Sequence, residues 1–87
     1  MPEELVGEVS HWFGNINVAG IKLSGKLSVG DRVRIVGHTT DFEQVIASMQ
    51  LDNEDIAEAS PGDEIGVKLE SRARSGDSVY RVFEALD

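Results

Sequence analysis

With 87 residues, 16 acids, 8 bases and no cysteine, the chain is sized for one domain, 1–87, around one small core. The missing thiols exclude a disulfide scaffold and thiolate metal sites, and suit a reducing compartment. The acidic start MPEELVGEV lacks the basic flank of a signal peptide, and no apolar run reaches the roughly 18 residues of a membrane span, so the chain reads as soluble, acidic and cytoplasmic.

Period-two alternation marks the strands in chain order. LVGEVSHWF places Leu5, Val9 and Phe13 on one face, against Val6, Glu8, Ser10 and Trp12. VAGIKLS aligns Ala19, Ile21 and Leu23, and DRVRIVG sets Val33 and Ile35 inward with Arg32 and Arg34 outward. TTDFEQVIASMQLD is too long for one regular strand; its apolar phase slips from Phe42 and Ile46 to Val45, Ala47, Met49 and Leu51, which predicts a bulge or bend near Val45. EDIAEAS reads as one helical turn, EIGVKLE as a strand with Ile65, Val67 and Leu69 inward, and SVYRVF as the last strand. The expected core is Val9, Ile21, Leu23, Val33, Ile35, Met49, Ile65, Val67 and Leu69. Six or seven short strands with no linker predict an all-β fold, a small closed six- to seven-stranded β-barrel, because closure removes exposed strand edges.

Between these strands, Gly-Asp followed by any residue and then Val or Ile occurs three times: GDRV from Gly30, GDEI from Gly62 and GDSV from Gly76. Glycine tolerates the positive φ of a tight turn and Asp bonds nearby backbone N–H groups, so the pair launches a strand. Three copies in identical settings read as turns, not as catalytic acids.

The chemistry-bearing patterns are few. GIKLSGKL, from Gly20, has phosphate-loop spacing, but Leu27 replaces the magnesium-binding hydroxyl and SVGD follows instead of a helix, so no nucleotide site is expected. His11 and His38 lack paired ligand spacing, and Asp52, Glu54 and Asp55 sit in a polar stretch where solvent keeps them ionised. The chain is therefore read as a non-enzyme without metal or cofactor.

Two regions bear on partners. In HWFGNIN, Trp12 with Asn15 and Asn17 either stacks on a partner or covers the end of the barrel. Lys22, Arg32, Arg34, Lys68, Arg72 and Arg74 form a basic face if they meet in space, and RNA is then a ligand. Against this, Asp41 to Glu64 holds eight acids and no Lys or Arg, so the net charge of −8 resides in that segment and disfavours phosphate.

The order GKLSVGDRVRIVG … ASPGDEIGVKLESRARSGDSVYRV resembles the second domain of translational GTPases such as elongation factor Tu, and small archaeal elongation-factor-like proteins, from Val6 to Val82. The resemblance implies the translation-factor second-domain type of closed barrel without the GTPase activity. It also implies a translation-associated partner, with acceptor-end binding through an acid before a Met; here Ser48 precedes Met49. A similar module ends some collagenase-like peptidases. Three readings follow: a binding module for a protein partner or the translation machinery, an RNA binder, or a relative of that peptidase accessory domain. The candidate contact residues are Trp12, Asn15, Asn17, Arg32, Arg34, Arg72 and Arg74.

Overall fold

The alternating segments form ten short strands in a computed structural model that describes residues 3–83. They are β1 (Glu3–Phe13), β2 (Val18–Leu23), β3 (Leu27–Ser28), β4 (Arg32–Val36), β5 (Asp41–Val45), β6 (Met49–Leu51), β7 (Glu54–Ile56), β8 (Glu58–Ala59), β9 (Glu64–Lys68) and β10 (Ser78–Val82). Eight of them pair antiparallel in the order β5-β4-β10-β1-β2-β9-β6-β7, and β3 pairs with β8 apart from that sheet. The fold is all-β. No helix among the described residues is long and apolar enough to cross a membrane.

All nine expected core residues are buried, joined by Val6, Leu27, Ile46, Ala73 and Val79. Fully burying one such aliphatic side chain contributes about 1.5–3 kcal/mol. The N-terminal strand departs from the expected phase. Val6 and Val9 are buried and Trp12 packs on the core, whereas Leu5 and Phe13 are about half exposed, at 53% and 47%. Two register shifts explain this, one between Leu5 and Gly7 against β10 and one between Val9 and His11 against β2. Each bulge inserts a residue and turns the inward spacing from two to three.

The acidic middle also differs from expectation. The stretch read as a helical turn is strand, because a two-residue hairpin at Asp52 and Asn53, both at positive φ (52° and 66°), pairs β6 with β7. Positive φ at both central residues is the type I′ requirement, which Asn and Asp tolerate. The expected bend falls after buried Ile46, at exposed Ala47 and Ser48.

The sheet does not close into a barrel: β5 and β7 are its two edges. The chain leaves β5 and enters β6, which pairs with β9 and not with β5. Buried Gln44 bridges the resulting seam, its Nε2 donating to the Lys68 carbonyl (3.1 Å) and its Oε1 accepting from the Glu70 N–H (2.7 Å). One side-chain amide thereby replaces a pair of ladder bonds.

The three Gly-Asp turns have one geometry. In Ser28–Asp31, Ser60–Asp63 and Arg74–Asp77 the Asp N–H returns to the first residue's carbonyl at 3.1 Å each time. The Asp Oδ2 accepts from the first residue's N–H at 2.9, 3.0 and 2.9 Å. Gly30, Gly62 and Gly76 stand at φ 96°, 94° and 93° in the third position, which is the type II pattern. Each Gly N–H then donates to the carbonyl of a buried residue, Ile46, Leu23 or Val9, whose own N–H donates to the Asp carbonyl, all at 2.8–2.9 Å.

A Cβ at Gly62 meets nothing within 4 Å, so the cost of Gly62→Ala isolates the backbone conformation. That cost is expected to be about 1 kcal/mol. Gln44→Leu leaves the Lys68 carbonyl and the Glu70 N–H unpaired and is expected to cost about 1–3 kcal/mol for each. Urea unfolding of both variants measures this; variants as stable as the parent would refute the turn and seam assignments.

Candidate partner-binding surface

Charge on the outer sheet face is set by β4 and its neighbours. Alternation turns Arg32 and Arg34 outward from buried Val33 and Ile35. Arg34 makes a two-pronged contact with Asp41, from Nε and Nη2 at 3.0 Å each, and its Nη1 reaches Glu3 at 3.4 Å. The Asp41 hydrogen bond, then the Glu3 bond, raises the Arg34 pKa, so the guanidinium stays charged. The same bond from Arg34 holds the Asp41 carboxyl below its ordinary value. Arg32 lies 3.8 Å from Glu43, and Arg81 lies 3.5 Å from Asp31 while its guanidinium stacks over Phe83 at 4.6 Å.

The six bases read as one face are thus dispersed. Arg32 and Arg34 lie among carboxylates on β4, and Lys22 stands in register with Glu8 on one side and Glu64 on the other. Lys68 ends β9, and Arg72 and Arg74 are exposed in the segment between β9 and β10. The Arg74 N–H belongs to the third Gly-Asp turn.

Trp12, Asn17 and Arg72 meet at the β1–β2 tip, and Asn15 lines a neighbouring depression with Trp12. Asn17 holds positive φ (56°) and its carbonyl accepts from the Leu69 N–H (2.9 Å), which ties the tip to the segment carrying Arg72. Trp12, Gly14, Asn17 and Arg72 line a depression of about 340 Å³. A second, of about 420 Å³, runs from Trp12 and Gly14 to His11, Phe13, Asn15 and Ile16. Phe13 and Ile16 were not singled out from the sequence, although both are exposed (47% and 59%); the His11 ring holds Phe13 at a 4.3 Å centroid distance. The spacing Val6, Val9, Trp12 carries the signal that would have found them, since it turns Phe13 outward.

No family model matches the chain. It is 38% identical over 82 residues to an uncharacterized protease of Methanocaldococcus jannaschii, covering 93% of this chain and 20% of the protease. It is 28% identical over 78 residues to a collagenase of Porphyromonas gingivalis, covering 87% of this chain and 22% of the collagenase. The chain spans about a fifth of the length of these curated relatives. Among solved structures, the C-terminal domain of a Geobacillus thermoleovorans protein assigned to the U32 peptidases superposes with a TM-score of 0.86 at 18% identity, covering 92% of this chain and 93% of that domain. The fold is that of the peptidase C-terminal domain.

These relatives correct the translation-factor resemblance, since both curated proteins are described as proteases and the structural neighbour is a peptidase domain. The correction has a physical basis. The residues that carried the resemblance, SVGD, SPGD and RSGD, are the three type II turns, and any small sheet needing such turns draws on the same residues.

The Asp41 shift carries a pH sign. A carboxyl with a lowered folded-state pKa stabilises above its ordinary value of 3.8, and that contribution is lost as pH falls through the lowered one. A carbon-13 NMR titration is expected to place the Asp41 midpoint below 3.8, and Arg34→Gln to return it towards that value. An unshifted parent midpoint would mean the fork does not form in solution.

Proposed function

We propose that this β-domain is a non-catalytic module that holds a protein chain for a peptidase-type protein, acting in the cytoplasm. The observation that carries the reading is the match itself: nearly the whole chain corresponds to one fifth of a protease. A segment of that proportion, folding like an isolated C-terminal domain, supports an accessory role. The site chemistry agrees. Asp31, Asp63 and Asp77 spend their carboxylates on turn N–H groups, and Gln44 spends its amide on the seam, so these side chains serve the architecture. A cysteine-free chain suits the reducing cytoplasm.

A protein partner is favoured over RNA because the β4 arginines already face carboxylates, and phosphate would have to displace Asp41 and Glu3 from Arg34. The acidic segment Asp41–Glu64 adds repulsion. Immobilised chain is expected to retain unfolded casein and leave it uncleaved, while labelled tRNA at physiological salt binds no tighter than the non-specific range of about 10⁻⁴–10⁻⁶ M. Casein cleavage, or retention no greater than on blank resin, would overturn the reading.

A further inference from the structure

We propose that the β1–β2 tip takes an extended protein segment in which an apolar residue is followed by an acidic one. The inference rests on the reading of the domain as a binder of protein chains and assigns the place and the chemistry. Four observations carry it.

The first is a donor pair left open. Neither the Arg72 guanidinium nor the Trp12 indole N–H has a hydrogen-bond or ion-pair partner among the described residues. Since no buried side-chain nitrogen among those residues lacks a partner, the indole N–H is open to solvent. The second is how that opening is kept. A Cβ at Gly14 would lie 3.3 Å from Trp12 Nε1, so a side chain there would crowd the N–H that glycine leaves accessible.

The third is charge. Segment 68–74 has Lys68, Arg72 and Arg74 against one acid, Glu70, whereas residues 41–64 hold eight acids and no base. On β4 and β10 the arginines contact carboxylates; at the tip Arg72 does not, which fits an acidic occupant supplied from outside. The fourth is apolar surface. Phe13 and Ile16, about half and more than half exposed, rim the neighbouring depression, where an aliphatic or aromatic side chain can leave water.

The two depressions share Trp12 and Gly14 in their linings. An extended chain laid across both points successive side chains in opposite directions. The apolar residue then falls against Phe13 and Ile16, and the next residue's carboxylate faces Arg72 and the indole N–H. Charge-assisted bonds of this kind are about twice as strong as neutral ones and supply the directionality that apolar contact lacks.

Trp12 is the only tryptophan, so its emission reports the site without a label. The probe is the peptide Gly-Ser-Leu-Glu-Ser-Gly, acetylated and amidated at its ends. Saturable change in Trp12 emission is expected, weakened about three- to tenfold by Arg72→Ala or by Gln in place of the peptide's Glu. Phe13→Ser combined with Ile16→Ser is expected to weaken it at least as much, and Arg32→Ala not at all. These side chains are partly or fully exposed, and circular dichroism verifies that each variant is folded. Absence of a saturable signal, or tip variants that bind like the parent, would sink the assignment. So would equal binding of the Gln peptide with a free C-terminal carboxylate, or tighter binding of single-stranded RNA. Casein retained equally by parent and tip variants removes the tip assignment alone and leaves the broader binding role standing.

Discussion

The fold hangs on one backbone arrangement used three times. Each Gly-Asp turn offers a glycine N–H and an aspartate carbonyl to the peptide of a single buried residue, Ile46, Leu23 or Val9. These three peptides lie where β5, β2 and β1 bend or pass beyond a pairing partner, so their polar groups would otherwise be buried unpaired. An unsatisfied buried group costs about 1–3 kcal/mol, which makes the turns structural joints between strands. The third joint is the most enclosed. Asp77 is buried, and a Cβ at Gly37 would overlap its carboxylate, so the loop after β4 has to carry glycine there.

The open sheet follows from the same economy of pairing. Because β6 joins β9, β5 has no strand on its outer side, and the Gln44 amide supplies the missing bonds to the end of β9. The acidic edges of β5 and β7 (Asp41, Glu43, Glu54 and Asp55) then repel another sheet edge, which protects an unclosed sheet from self-pairing. The acidic segment thus has an architectural use, while the ion pairs on β4 absorb the arginines nearest to it. At the β1–β2 tip, by contrast, Arg72 has no carboxylate partner among the described residues and lies near exposed Phe13 and Ile16.

The comparison with peptidase domains fits this division. The same fold recurs in a domain only 18% identical, because turn geometry and burial constrain residue class more than identity. Such turns also mimic other small β-folds, which is how three turn motifs in order resembled a translation factor. Side chains outside the joints, such as Phe13, Ile16 and Arg72, are free of those constraints.

The all-β class, the turn role of Gly30, Gly62 and Gly76, and nine core residues were legible from the sequence, because period-two burial and positive-φ glycine are local properties. The cluster of Trp12, Asn17 and Arg72 was legible only as a set of candidates, and the dispersal of Arg32 and Arg34 from them was not legible at all. Tertiary structure decided these, together with the phase of β1, the strand in place of a helical turn, and the open seam. Two bulges depend on which strands flank β1 on each side, and the seam depends on β6 choosing β9 over β5. Such choices are made by pairing energies between residues distant in the chain, and local pattern does not encode them.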